Sequence, residues 1–181
     1  MLSLKSFRRR AALPTHEPVL QHANGALGDG PVPQMDGVDG ALPAGQPSIR
    51  TFETLRFADT DLNGHITHPV VAALFQNGRA LLLVNQAGRL ASPGMRWVTR
   101  SVTIDYRREI FWPGTAEICT RIARLGNSSI HIDQDLLQEK TSKATGQAVM
   151  VLMDVATRRS VTIPAALRQA LSGIAEGTSS A

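Results

Sequence analysis

Between residues 69 and 155 the spacing of apolar side chains changes period once, and that single change limits the folds open to the chain. Over residues 69–85, Val71, Leu74, Phe75, Leu82 and Leu83 recur at helical spacing, with small Ala72, Ala73 and Gly78 between them. Pro69 suits the start of such a helix, where a missing N–H is not needed. The small residues predict a helix that is mostly buried. After it the period falls to two. Val98, Val102, Ile104 and Tyr106 alternate with Thr99, Ser101, Thr103 and Asp105. Ile118, Thr120 and Ile122 share one face, as do Ile130, Ile132 and Leu136, and then Val149, Val151, Met153 and Val155. Pro113-Gly114, Gly126-Asn127 and residues 143–146 supply the turns. A β-like stretch over residues 49–57 precedes the helix, and Pro164 opens a short terminal helix through Leu171. The expected class is α+β: an antiparallel sheet of about five strands wrapped around one long central helix, which buries that helix.

The domain therefore spans residues 49–172. Residues 24–48 hold six glycines and four prolines with no apolar periodicity, too little to offset ordering entropy. Residues 1–48 are read as a flexible Gly/Pro-rich tail, and residues 173–181 as a second one. Lys5, Arg8, Arg9 and Arg10 balance Glu17, Asp29, Asp36 and Asp39, so the net charge of +4 belongs to residues 49–181. That mild excess suits a polyanionic ligand. One Tyr, two Trp and five Phe leave little for base stacking, so nucleic acid is not expected. No apolar run reaches the roughly 20 residues that span a bilayer. The lone Cys119 forbids an intrachain disulfide and reads as a buried thiol. A cytoplasmic location is expected. The basic, acid-free first ten residues keep an organelle-targeting presequence as the alternative.

Residues 56–69, Arg-Phe-Ala-Asp-Thr-Asp-Leu-Asn-Gly-His-Ile-Thr-His-Pro, resemble the signature of the hotdog-fold acyl-CoA thioesterases related to 4-hydroxybenzoyl-CoA thioesterase. Phe75 and Arg79 fit the helix that follows it. Ile104-Asp105-Tyr106-Arg107-Arg108, Gly114 and Gly126-Asn127-Ser128-Ser129 resemble the later strands and turns. The likeness covers roughly residues 50–160. It implies a single hotdog domain, an acyl-CoA substrate, a homodimer or dimer of dimers with active sites at the subunit boundary, and Asp61 as catalytic carboxylate.

Thioester hydrolysis needs a nucleophile at the carbonyl carbon and a donor at its oxygen. An aspartate, ionised at neutral pH, can act as base toward water or attack directly. Where the loop enters the helix, free N–H groups and the positive dipole end converge. Backbone donors between Gly64 and His68, or at Val70, are the expected oxyanion site. Gly64 permits a tight backbone or close ligand approach. His65 organises the loop or meets substrate, and His68 orients water or touches the thioester. Asp59 is read as a loop-bonding residue. Gln76 stands where relatives often carry a catalytic Glu, which leaves Asp61 as the carboxylate. Arg107, Arg108, Arg158 and Arg159 are the basic candidates for coenzyme A, and Ser128 and Ser129 offer donors to its pantetheine or phosphates. Asp61, His65 and His68 cross a loop-to-helix boundary and present no preformed ligand face, so neither a metal nor another cofactor is expected. An acyl-carrier-protein thioesterase and a non-catalytic acyl-CoA-binding hotdog module remain the alternatives.

Overall fold

The computed structural model describes residues 47–84 and 94–177. The expected tail of residues 1–48 lies, but for its last two residues, outside them, as do residues 178–181. The elements follow the order read from the sequence. They are β1 (Ile49–Thr54), a 3₁₀ turn (Phe57–Asp59), α1 (His68–Leu82), β2 (Met95–Tyr106), β3 (Thr115–Leu125), β4 (Ser129–Gln138), β5 (Thr141–Asp154) and α2 (Ala165–Glu176). The strands form one sheet in the order β1-β3-β4-β5-β2, and every neighbouring pair is antiparallel.

Alternation along β3, β4 and β5 sends Ile118, Ile122, Ile130, Ile132, Leu136, Ala148 and Leu152 to one face, where all are buried. On α1 the buried positions Val71, Leu74, Phe75, Gly78, Arg79 and Leu82 recur every three or four residues and make one stripe. That stripe packs on β1, β3 and β4. The Gly78 hydrogen faces Thr120, Gln134 and Ile118, and a Cβ there would lie 2.7 Å from Thr120 Oγ1. Beneath it, buried Arg79 donates to Gln134 Oε1 at 2.7 Å, and Gln134 Nε2 donates to the Phe75 carbonyl and to Thr120 Oγ1.

Two expectations change. The α-helix has fifteen residues to Leu82 and passes into a π-helical turn at Leu83 and Val84, and residue 85 lies outside the described residues. The sheet backs it on one side, because inward-facing Val102 and Tyr106 of β2 remain 42% exposed. The sheet-and-helix architecture is thus present without a long helix fully enclosed by strands. The terminal helix runs beyond Leu171 to Glu176. Its Leu167, Leu171 and Ile174 bury in the same core as Leu82 and Leu152, so residues 173–176 belong to the domain and not to a tail. Among the described residues no helix is long and apolar enough to cross a membrane.

Candidate active site

The segment between the 3₁₀ turn and α1 is a loop tied down at nearly every amide. Buried Asp59 accepts the Arg56 N–H at 2.9 Å and the Arg56 guanidinium at 3.0 Å. Those bonds, the guanidinium first, hold its carboxyl below the usual carboxylate range. Its carbonyl accepts the Thr67 N–H at 3.0 Å. Asp61 turns the chain. One carboxylate oxygen, Oδ1, accepts the N–H groups of Asn63 at 2.8 Å and His65 at 3.0 Å. These amides, that of His65 foremost, hold its carboxyl low as well. The Asn63 side chain adds a weaker hydrogen bond to the carboxylate, and the Asp61 side chain is exposed to solvent. Gly64 closes the turn at φ 82°, a left-handed backbone that favours glycine.

The expected oxyanion donors can now be sorted. Gly64 N–H donates to the Asp61 carbonyl, His65 N–H to the Asp61 carboxylate, Ile66 N–H to Ile110, Thr67 N–H to Asp59 and Val70 N–H to Thr67. Pro69 has none. Among the described residues, His68 N–H alone in this run donates to nothing. The Gly64 amide, expected among the donors, is thus engaged within its own turn.

A pocket of about 460 Å³ opens beside the loop, within the size range of ligand sites. It is lined by Asp61, His65 and His68, by Pro69 and Val71 of α1, and by Tyr106 to Ile110 at the end of β2. The fold thus gathers Asp61, His65, His68, Arg107 and Arg108 around one pocket, whereas Gly64 does not line it. The Arg107 and Arg108 amides both donate to the Lys143 carbonyl, at 2.9 and 3.0 Å. Arg107 Nε pairs with Asp105 at 3.1 Å, whereas the Arg108 guanidinium has no ion-pair partner among the described residues. His65 Nε2 lies 3.5 Å from Glu109 and meets the Phe111 ring edge-on. The His68 ring stacks on Tyr106, centroids 4.1 Å apart. Gln76, exposed on α1, does not line the pocket.

Ser128 and Ser129 do not join this group. The Ser128 carbonyl accepts the Leu152 N–H and Ser129 pairs with Val151, whereas Tyr106 pairs with Ala144. Seven residues of β5 separate the two places, roughly 20 Å. Arg158 and Arg159 follow the far end of β5 as well. Tyr106 and Glu109 are the site residues the sequence did not single out; the period of β2 marks Tyr106 only as another inward apolar position. No group of three His, Cys, Asp or Glu side chains among the described residues is arranged to hold a metal ion. Cys119 lies outside the site, and burial pushes its thiol up to about 11.

A family model described as the thioesterase-like superfamily matches residues 55–171. No curated protein gives a significant match. Among solved structures, a predicted thioesterase from Bacillus stearothermophilus is 28% identical with a TM-score of 0.64, the match covering 69% of this chain and 94% of that one. A protein from Pseudomonas aeruginosa is 26% identical with a TM-score of 0.63, covering 74% and 99%. A thioesterase from Thermus thermophilus, solved with coenzyme A and zinc, shares the fold at 24% identity and a TM-score of 0.64, covering 75% and 98%.

Proposed function

The chain belongs to the thioesterase-like superfamily, and from that premise we propose that it hydrolyses acyl-coenzyme A thioesters in the pocket beside Asp61. One observation carries the proposal: the exposed carboxylate of Asp61, steered through Oδ1 by two amides, and the His68 residue, whose amide has no partner among the described residues, line the same pocket. The two provide what the reaction needs, a negative oxygen for the carbonyl carbon or its attacking water and a donor for the carbonyl oxygen.

In this reading the scissile carbonyl lies with its oxygen against His68 N–H at the start of α1, where the helix dipole adds positive potential. Asp61 Oδ2 takes the proton of an attacking water, or attacks to give a mixed anhydride that water then opens. In both routes the thiolate of coenzyme A leaves and is protonated. Oδ1, fixed by two amides, keeps the reactive oxygen aimed. Label entering Asp61 during turnover in ¹⁸O-labelled water marks direct attack, with water opening the anhydride at the aspartyl carbon; the general-base route places label only in the released acid. Arg108, with Arg107 beside it, supplies positive charge for the phosphates of coenzyme A, the ligand present in the Thermus thermophilus relative. His65 and the His68 ring line the acyl approach. No metal or redox cofactor enters.

The proposed active form is a homodimer or a dimer of dimers. Support comes from β2, an edge strand of twelve residues exposed at every position from Val98 to Thr103. Its apolar Val98, Val102 and Tyr106 stand open to solvent, an arrangement that invites a second chain. Ser128 and Ser129, remote from the pocket of their own chain, then read as contacts delivered across a subunit boundary. A panel of acyl-CoA esters with detection of released thiol tests the proposal. Turnover of at least one ester, abolished by Asp61→Asn, supports it; binding of every ester with no thiol release would leave a non-catalytic module instead.

A further inference from the structure

The last residue of β2 makes two contacts with one residue of the site. Tyr106 faces inward in register with Ala144, yet it stays 42% exposed and fills no core. Its ring lies almost parallel to the His68 imidazole, 4.1 Å away at an interplanar angle of 24°. Its hydroxyl donates to the His68 carbonyl at 3.5 Å. One side chain thus touches both the ring and the peptide of the residue that carries the free amide.

His68 has local reason to need such a hold. It opens α1 while preceding Pro69, and the residue before a proline is sterically disfavoured in helical backbone. Its side chain is exposed, so packing by the core does not fix it. An aromatic face from a strand more than thirty residues away supplies the restraint that the helix start lacks. Strand β2 is in turn anchored to β5 along its length.

We infer that Tyr106 is a positioning residue of the hydrolytic site, holding His68 so that its amide and imidazole edge stay turned to the pocket. The inference rests on the acyl-CoA hydrolysis proposed above. It makes the strand end a determinant of turnover rather than of substrate capture.

Steady-state kinetics and proton NMR test it together. Tyr106→Leu removes both contacts and is expected to lower kcat about three- to tenfold, the range an aromatic pair carries. KM should move less than about twofold, because the oxyanion donor acts in the transition state. Tyr106→Phe keeps the stack and should restore most of the rate. In a His68→Ala background, Tyr106→Leu should add little further loss, since its partner is already gone. The His68 ring protons, shifted by the tyrosine ring current in the parent, should move toward ordinary imidazole positions in Tyr106→Leu and stay in place in Tyr106→Phe. Unmoved His68 signals would overturn the inference, as would a full additive loss in the double variant or a rise in KM at constant kcat. The NMR arm needs no turnover: a stacked His68 in a chain that hydrolyses no ester rejects the proposed activity and leaves the stack standing.

Discussion

Asp61→Asn separates the charge of the site from its shape. An asparagine carbonyl oxygen can accept the two amides that now reach Oδ1, from Asn63 at 2.8 Å and His65 at 3.0 Å. The left-handed turn at Gly64 and the bond from its amide to the Asp61 carbonyl, 3.1 Å, involve only backbone and persist. The change falls on the second oxygen, which becomes an uncharged NH₂ that neither accepts a proton nor attacks carbon. Loss of a general base lowers the rate about 10²–10⁴-fold, and loss of a nucleophile more. Because the side chain is exposed, the melting temperature should stay within about 2 °C of the parent. Coenzyme A affinity should be nearly unchanged, since Arg107 and Arg108 are untouched. The assay is thiol release at saturating acyl-CoA, beside calorimetric titration with coenzyme A. An Asp61→Asn protein with the kcat of the parent, its activity traced to the enzyme itself, would remove Asp61 from the mechanism.

The pH profile carries a second expectation. The His65 and Asn63 amides hold the Asp61 carboxyl below its usual range near 3.9, so the base stays ionised from pH 8 down to 5 and kcat should be flat there; a limb falling through about 6.5 would assign the step to an imidazole. Asp59→Asn should leave kcat measurable and lower stability by roughly 0.5–2 kcal/mol in urea unfolding, the range for a local capping contact. The carboxyl of Asp59 is depressed in the fold, so its contribution is present above the ordinary carboxylate pKa and lost as pH falls through the folded value; Asp59→Asn should flatten that acid dependence. Gly78→Ala forces a Cβ to 2.7 Å from Thr120 Oγ1 and 2.9 Å from Gln134 Nε2, and should cost about 1–3 kcal/mol, less up to about 1 recovered from helix propensity; unchanged unfolding would refute the packing. Light scattering should give a dimer or tetramer at micromolar concentration, and an active monomer would contradict the reading of β2.

The sequence made α1 and the strands legible because each carries its own apolar period, and a period survives without knowledge of partners. The Asp61 loop is legible because a motif of fourteen residues keeps its turn-forming Asp61 and Gly64 in order before the helix. What the sequence left open depends on residues far away along the chain. The amides of Gly64, His65, Ile66 and Thr67 looked equally available as donors. Two of them are engaged locally by Asp61, one by Ile110 and one by Asp59, and only the folded register leaves His68 free. Ser128 and Ser129 were grouped with the site by motif, yet sheet register puts them at the other end of β5. At the helix end the apolar pattern carries through Leu83 and Val84 but does not reveal that the α-helix passes there into a π-helical turn. The terminal helix was ended too early because Ile174 follows Leu171 at helical spacing but lies after Gly173, which reads as a stop.

Loops that carry catalytic groups are commonly the mobile part of a fold, whereas hydrolysis by a fixed oxygen and a fixed amide needs a site held to a fraction of an ångström. The frame here answers that requirement from outside the loop. Gln138, nearly buried at the end of β4, takes the Phe111 N–H on its Oε1 at 3.1 Å and donates from Nε2 to the Phe111 carbonyl at 2.7 Å. Gly114 leaves room for that amide, since a Cβ there would stand 2.7 Å from Gln138 Nε2. Phe111 in turn bridges to His65, and the neighbouring Ile110 carbonyl receives the Ile66 N–H at 2.8 Å. His65 then donates to Asp61. A chain of backbone and amide bonds therefore runs from the sheet to the Asp61 carboxylate. With Tyr106 stacked on His68, Asp61 and His68 are both referenced to the same sheet, through β4 and β2, and in the proposed mechanism that common reference lets an exposed loop keep its donor and its charge in register.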